Sequence, residues 1–274
     1  MKKTRAFTLA EVLTTLMLIG IVAAFTIPVF ISEFNKNKWT VTFKRTFAET
    51  FNALSTVALD EDCAKSLTCT NIFNATQDAN DEVFGRNSTK QFGDAMTKTM
   101  KVSINCKMGD SSDTKGCFDH NVRLGFASSD EESLQQTMSN DIPDGGLSPF
   151  YTFVTNRGVS YALFSFGLNC LNNPEYASVN EQYINAYVDR PNDIDNQMLH
   201  LCGFIIIDVN GKKKPNVWGR DVFGMWVTDK NVLGLYPFGG ENDKKLNSNN
   251  GHCGDNDARG CAADIIKNGW SMKY

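Results

Sequence analysis

The chain opens on a short basic stretch, MKKTRA, and then runs almost unbroken through apolar residues from Phe7 to Ile31. At about 1.5 Å per helical residue this run spans roughly 37 Å, enough to cross a hydrocarbon core of ~30 Å, and it predicts one membrane-crossing helix. A single charge, Glu11, interrupts it. A carboxylate in lipid costs about 3 kcal/mol on insertion scales, so this one requires a partner or a task. Past the run the helical period continues: Phe30 and Phe34 lie four apart, and Phe43, Phe47, Phe51 and Leu54 follow at spacings of four, four and three. That stripe predicts helix to about Leu59, roughly 80 Å in all. It reads as a core face laid on a sheet, and a coiled-coil seam fits the same few turns.

From Asp60 the pattern changes. Residues 60–145 are rich in Asp, Asn, Ser and Thr with no sustained period, and read as loops and short elements. From Ser148 the signal is β. SPFYTFV and VSYALFSF flank TNRG, a hairpin with Gly158 in its turn; GFIIIDV follows, then VFGMWV and VLGLY around TDKN, a second hairpin-like turn. Residues 240–260 are turn-rich and read as a surface loop pinned by Cys253 and Cys261. The expected fold class is α+β: a long N-terminal transmembrane helix continues into a C-terminal domain and packs on an antiparallel β-sheet. The expected segments are residues 1–6 as leader, 7–31 as the membrane half of the helix, 32–59 as its exported half, and 60–274 as one cysteine-rich globular domain.

The 274 residues carry a formal charge of −4, but Lys2, Lys3 and Arg5 sit in the leader; without them 24 basic side chains face 31 acidic ones, a net of −7. Bulk attraction to nucleic acid is therefore not expected. Eight cysteines, Cys63, Cys69, Cys106, Cys117, Cys170, Cys202, Cys253 and Cys261, all lie beyond the apolar run. An even number confined to the exported part fits a disulfide framework in an oxidising compartment, and the absence of CxxC spacing argues against a zinc ribbon or a thioredoxin-like motif. Pairing of sequence neighbours (63 with 69, 106 with 117, 170 with 202, 253 with 261) is favoured because each loop is short; buried reduced thiols are the alternative.

Three processing routes are compatible with the N-terminus. A secretory peptide would be cut near Ala23-Ala24, yet the apolar run passes that point. A plain signal anchor explains the length and the basic leader but not Glu11. Cleavage at Ala6–Phe7 would remove the leader and keep the span. On this last route the segment A-F-T-L-A-E-V-L, with Gly20 and Pro28 further on, resembles the type IV pilin and pseudopilin family. The resemblance implies cytoplasmic-side cleavage after Ala6 by a prepilin peptidase, N-methylation of Phe7, and Glu11 as an assembly residue that pairs with the new amine. Where the family usually has glycine before the cut this chain has Ala6, which predicts slower processing. Gly20 and Pro28 weaken the helix between them, either to let it stretch on assembly or as tolerated membrane-helix residues.

The same resemblance implies other pilin or pseudopilin subunits, the peptidase/N-methyltransferase and an inner-membrane assembly platform as partners. It also implies single-pass insertion in the cytoplasmic membrane with the C-terminal domain outside, then a pilus or a type II secretion pseudopilus. A domain of this size tilts the expectation toward a minor subunit. A membrane-anchored binding or adhesion protein that never polymerises is the rival, and an exported enzyme with a site assembled from distant residues is a third.

One cluster invites chemistry. Asp208, Asn210, Asn216 and Asp221 surround Gly211 and Pro215, and their oxygens suit a hard cation such as Ca²⁺, although no Glu closes an EF-hand loop. Such loops bind calcium in some pseudopilins, while Lys212, Lys213 and Lys214 oppose a cation; a plain β-turn is the other reading. No cofactor is otherwise expected. His120, His200 and His252 are scattered, with His252 beside Cys253 the one possible ligand. Glu131-Glu132 falls in a polar, loop-like stretch, and no catalytic motif appears, so no enzyme activity is expected. Asn74-Ala-Thr76 and Asn87-Ser-Thr89 match a glycosylation sequon that carries little weight in a bacterium.

Overall fold

A computed structural model describes residues 8–63, 66–73, 85–109, 116–118, 122–128, 131–132, 150–172, 174, 177–193, 196, 198–229 and 233–274. The chain divides into two compact units, residues 1–38 and residues 39–274. Helix α1 runs Leu9–Asp60 and contributes to both. In the second unit it is followed by α2 (Arg86–Thr99), β1 (Val102–Met108), β2 (Val122–Arg123), β3 (Glu131–Glu132), β4 (Tyr151–Thr155) and β5 (Ser160–Ser165). Then come α3 (Ala177–Tyr187), β6 (Leu201–Asp208), β7 (Val222–Asp229), β8 (Leu233–Pro237) and α4 (Cys261–Lys267).

Six strands form one sheet in the order β1-β4-β5-β6-β7-β8, with every pair antiparallel. Both faces of this sheet are covered, which explains why β5, β6 and β7 read as unbroken apolar runs. Alternation still decides where each side chain goes. Tyr161, Leu163, Ile205, Ile207, Phe223, Met225 and Val227 enter one core with Phe43, Leu54 and Val57 of α1 and Phe92 and Met96 of α2. Phe164, Phe204, Ile206, Val222 and Trp226 enter a second core with Tyr183 and Tyr187 of α3 and the loop residues Phe118, Leu246 and Ala258.

The stripe of α1 is displaced from its expected line. Its buried residues in the second unit are Thr40, Phe43, Thr46, Thr50, Ala53, Leu54, Val57 and Ala58, whereas Phe51 is 39% exposed. At about 100° per residue, eight steps from Phe43 leave Phe51 roughly 80° off the contact line, while Thr50 stays within about 20°. Thr50 can be buried because its hydroxyl lies 2.7 Å from the Thr46 carbonyl and 3.1 Å from Tyr161 Oη. Phe43 stacks on Phe223 at 4.3 Å.

Residues 60–145, expected as loops and short elements, hold α2 and β1. In α2 only Phe92 and Met96 mark an apolar face, too little for a periodic signal. β1 does alternate (Val102, Ile104, Cys106, Met108), but it is an edge strand with two register shifts and Ile104 is 52% exposed. Glu131-Glu132, expected in a loop, pairs with Val122-Arg123. The 240–260 segment is not simply a surface loop. Asp243, fully buried, accepts hydrogen bonds from Trp226 Nε1 (2.8 Å), Gly239 N (3.1 Å), Lys245 N (3.1 Å) and Leu246 N (2.9 Å). One carboxylate thereby ties this polar-looking stretch to the sheet. α3 and α4 were not expected either; their apolar positions cover only about two turns each.

Four disulfides join Cys63–Cys69, Cys106–Cys117, Cys170–Cys202 and Cys253–Cys261, each between sequence neighbours. The loop of the first is held by Asp229 at the end of β7, whose Oδ2 accepts from Ser66 Oγ (2.8 Å), Thr68 N (2.8 Å) and Leu67 N.

Candidate functional site

The first unit exposes Leu9, Leu13, Leu16, Met17, Phe25 and Phe30, among many other apolar side chains, on every side of α1. A helix apolar all round cannot face water stably, and this one is long and apolar enough to cross a membrane. Its hydroxyls are satisfied within the helix: Thr14 Oγ1 donates to Ala10 O at 2.9 Å, Thr15 to Val12 O at 2.9 Å and Thr26 to Val22 O at 3.0 Å. Together with disulfides confined to the second unit, this describes a membrane-anchor segment followed by a domain suited to an oxidising, extracytoplasmic compartment.

Glu11 has a structural task at the start of that helix. Thr8 N donates to Glu11 Oε2 at 2.8 Å, Thr8 Oγ1 donates to the same oxygen at 3.0 Å, and Glu11 N donates to Thr8 Oγ1 at 3.3 Å. This is a reciprocal capping box, with Thr8 at the cap and Glu11 three residues on. The signal was present in the sequence as T-L-A-E, the spacing that such a box requires. Glu11 also places its charge where the helix dipole favours an anion. Ala6 and Phe7 lie outside the described residues. Gly20 and Pro28 both sit inside the helix, and nothing lies within 4 Å of where a Gly20 side chain would begin.

The structure brings the four residues of the suspected cation loop together, around an acceptor that is already served. Asp221 is fully buried; its Oδ1 accepts from Val217 N (2.7 Å) and its Oδ2 from Asn216 N (2.9 Å) and Asn210 Nδ2 (3.0 Å). Asp208 Oδ1 accepts from Asn210 N at 3.1 Å. The carboxylates thus organise the turn between β6 and β7, and two buried oxygens beside them, Asn210 Oδ1 and Ser160 Oγ, have no hydrogen-bond partner among the described residues. Ser160 pairs with Asp208 across the sheet. Among the described residues no group of three or more His, Cys, Asp or Glu side chains is placed to hold a metal.

Burial raises the Asp221 carboxyl to about 6, against the pull of its N–H donors. The native state then holds a proton that the unfolded chain, near 3.8, has released, so stability rises as pH falls from about 6 toward 4. A shift of about two units is worth roughly 3 kcal/mol as an upper figure. Burial shifts Asp243 upward too, with the same sign. Melting temperature is expected to be higher at pH 5 than at pH 7, with a smaller difference in Asp221→Asn; a flat profile in the parent protein would refute the assignment.

His252 is not placed as a metal ligand with Cys253, whose sulfur is bonded to Cys261. Its Nδ1 meets Asp257 Oδ2 at 2.8 Å, and the same oxygen accepts from Arg259 Nη2 at 2.8 Å. Burial pushes the Asp257 carboxyl up, but Arg259 and His252 outweigh it and hold it below the usual range. His200 precedes β6, and its carbonyl accepts from Asp229 N at 3.0 Å. His120 and the Asn74–Thr76 sequon lie outside the described residues. In the second sequon Thr89 is buried in α2 and accepts from Ser165 N at 2.9 Å. No known protein family, curated protein or solved structure matches this chain.

Proposed function

We propose that this chain is a prepilin-like subunit, cleaved to begin at Phe7 and built into a type IV pilus or a type II secretion pseudopilus, in a minor role. The observation that carries the reading is the apolar helix of the first unit, with one carboxylate at its start and a disulfide-bearing α+β unit after it. In this pilin-like plan the helices bundle in the filament and the β unit stays outside, so the protein works by assembly and presentation, with no turnover of its own. Its partners are other subunits, the processing peptidase and an inner-membrane platform. Intact mass of the protein recovered from membranes tests processing. Loss of residues 1–6 with one added methyl group is the expected result, while an uncleaved terminus, or one near Ala24, would sink the proposal.

A cation in the β6–β7 turn is a second reading, favoured by the unserved oxygens of Asn210 and Ser160 next to Asp208 and Asp221. The residues fit a hard cation in part, since Asp221 already has three donors. Millimolar Ca²⁺ is expected to raise the melting temperature by several degrees through preferential binding to the native state. An unchanged melting curve together with no heat on titration would remove calcium from the account.

A further inference from the structure

Helix α1 ends on Asp60, which Glu61 and Asp62 follow, and all three side chains are exposed. The helix dipole favours cations at this end, yet no basic residue lies in the last turn. Among the described residues no Lys or Arg pairs with any of the three. Three adjacent carboxylates repel one another and the helix terminus together, unless a cation comes from elsewhere.

The opposite charge lies in a cleft of about 320 Å³ beside the same helix. Its walls include Glu49, Asn52 and Thr56 of α1, Lys101 just before β1, and Asn156 and Arg157 in the β4–β5 turn. Glu49 Oε1 accepts from both Arg45 Nε (3.0 Å) and Arg157 Nη1, so the carboxylate of the cleft is already neutralised. Lys101 is exposed, and among the described residues its ammonium and the side-chain amides of Asn52 and Asn156 have no hydrogen-bond or ion-pair partner. The cleft thus offers a surplus cation flanked by amide donors, the chemistry that recognises a carboxylate.

Within one chain the two features cannot meet. Asp60 follows Glu49 by eleven residues, roughly 17 Å along the helix. Arg157 belongs to the turn beside the β6–β7 turn, where a Cβ on Gly211 would lie 2.6 Å from the Gly158 carbonyl. Residues 60–62 instead lead into the Cys63–Cys69 loop, which Asp229 holds at the other end of β7. We propose that Asp60, Glu61 and Asp62 of one copy seat in the Lys101–Arg157 cleft of a second copy, a head-to-tail contact between second units. Charge complementarity selects this occupant. The contact is heterologous: it leaves an acidic end on one copy and a cleft on the other, so it can repeat along a filament. It rests on the reading of the chain as a polymerising subunit, and a subunit used sparingly would enter as a pair or a short run.

Full-length protein purified in detergent tests it, with unlabelled and heavy-nitrogen samples mixed and treated with a carbodiimide. Mass spectrometry is expected to find an amide joining Lys101 of one isotope to Asp60, Glu61 or Asp62 of the other. Lys101→Glu alone, or Glu61→Lys alone, is expected to weaken self-association in sedimentation about tenfold, equivalent to about 1.4 kcal/mol. The two exchanged together should restore it. Absence of mixed-isotope links at Lys101, or a double exchange as weak as the single ones, overturns the contact. Links from Lys101 to a copurifying protein would give the cleft to another acidic partner and likewise overturn the self-contact. Intact mass of the same sample keeps the two readings apart. A processed terminus without a Lys101 link leaves the subunit reading standing; an unprocessed terminus overturns that reading, and with it the assembly role of the contact.

Discussion

Replacing Glu11 by glutamine is expected to leave membrane insertion unchanged and to abolish filament assembly. Glutamine keeps the carbonyl oxygen that accepts from Thr8 N and Oγ1, so the capping box survives. What it removes is the charge that the proposed assembly mechanism pairs with the amine freed at Phe7, where two isolated charges in lipid would each be costly. Thr8→Ala is the complementary variant. It removes the cap hydroxyl, worth about 1 kcal/mol, but keeps the carboxylate, and it is expected to assemble. Fractionation reports insertion, and sheared filaments counted by immunoblot report assembly. Should glutamine at position 11 assemble like the parent while Thr8→Ala does not, helix capping is the task of Glu11 and the ion pair falls.

The second large effect is expected at Asp243. Alanine there would strand four N–H donors, from Trp226, Gly239, Lys245 and Leu246, in a site without water access. Each stranded donor costs about 1–3 kcal/mol, and because they share one acceptor the total is not a simple sum; about 4 kcal/mol is a reasonable figure. For a unit of this size that lowers the melting temperature by roughly 8–16 °C. Near-UV circular dichroism follows it directly, since Trp226 donates to the carboxylate. Asp243→Asn keeps one acceptor oxygen and should lose about half as much. A fall of under about 3 °C for alanine would show that the segment from Gly239 to Leu246 holds without this hub.

Elements whose residues carried their own period were legible in the sequence. The apolar run and the strands β4 to β8 follow from composition and alternation, because a segment buried on both sides must be apolar throughout and one buried on a stripe must repeat. Neighbouring cysteines were legible as pairs for a similar reason, since short loops close with little entropy lost. The T-L-A-E capping box is equally local, because its two partners are three residues apart. Phe51 shows the limit of spacing alone: a residue two turns from Phe43 is on the stripe or off it by a few tens of degrees, and only the packed sheet decides.

The sequence by itself determined a membrane-length helix, a charge at its start, an exported domain able to form disulfides and a set of buried strands. Tertiary structure alone decided the rest. α2, α3 and α4 are stabilised by packing rather than by propensity, so their few apolar residues gave no signal until the sheet was in place. Asp221 and Asp243 look like solvent-facing turn residues in the sequence, and burial converts them into acceptors around which turns are built.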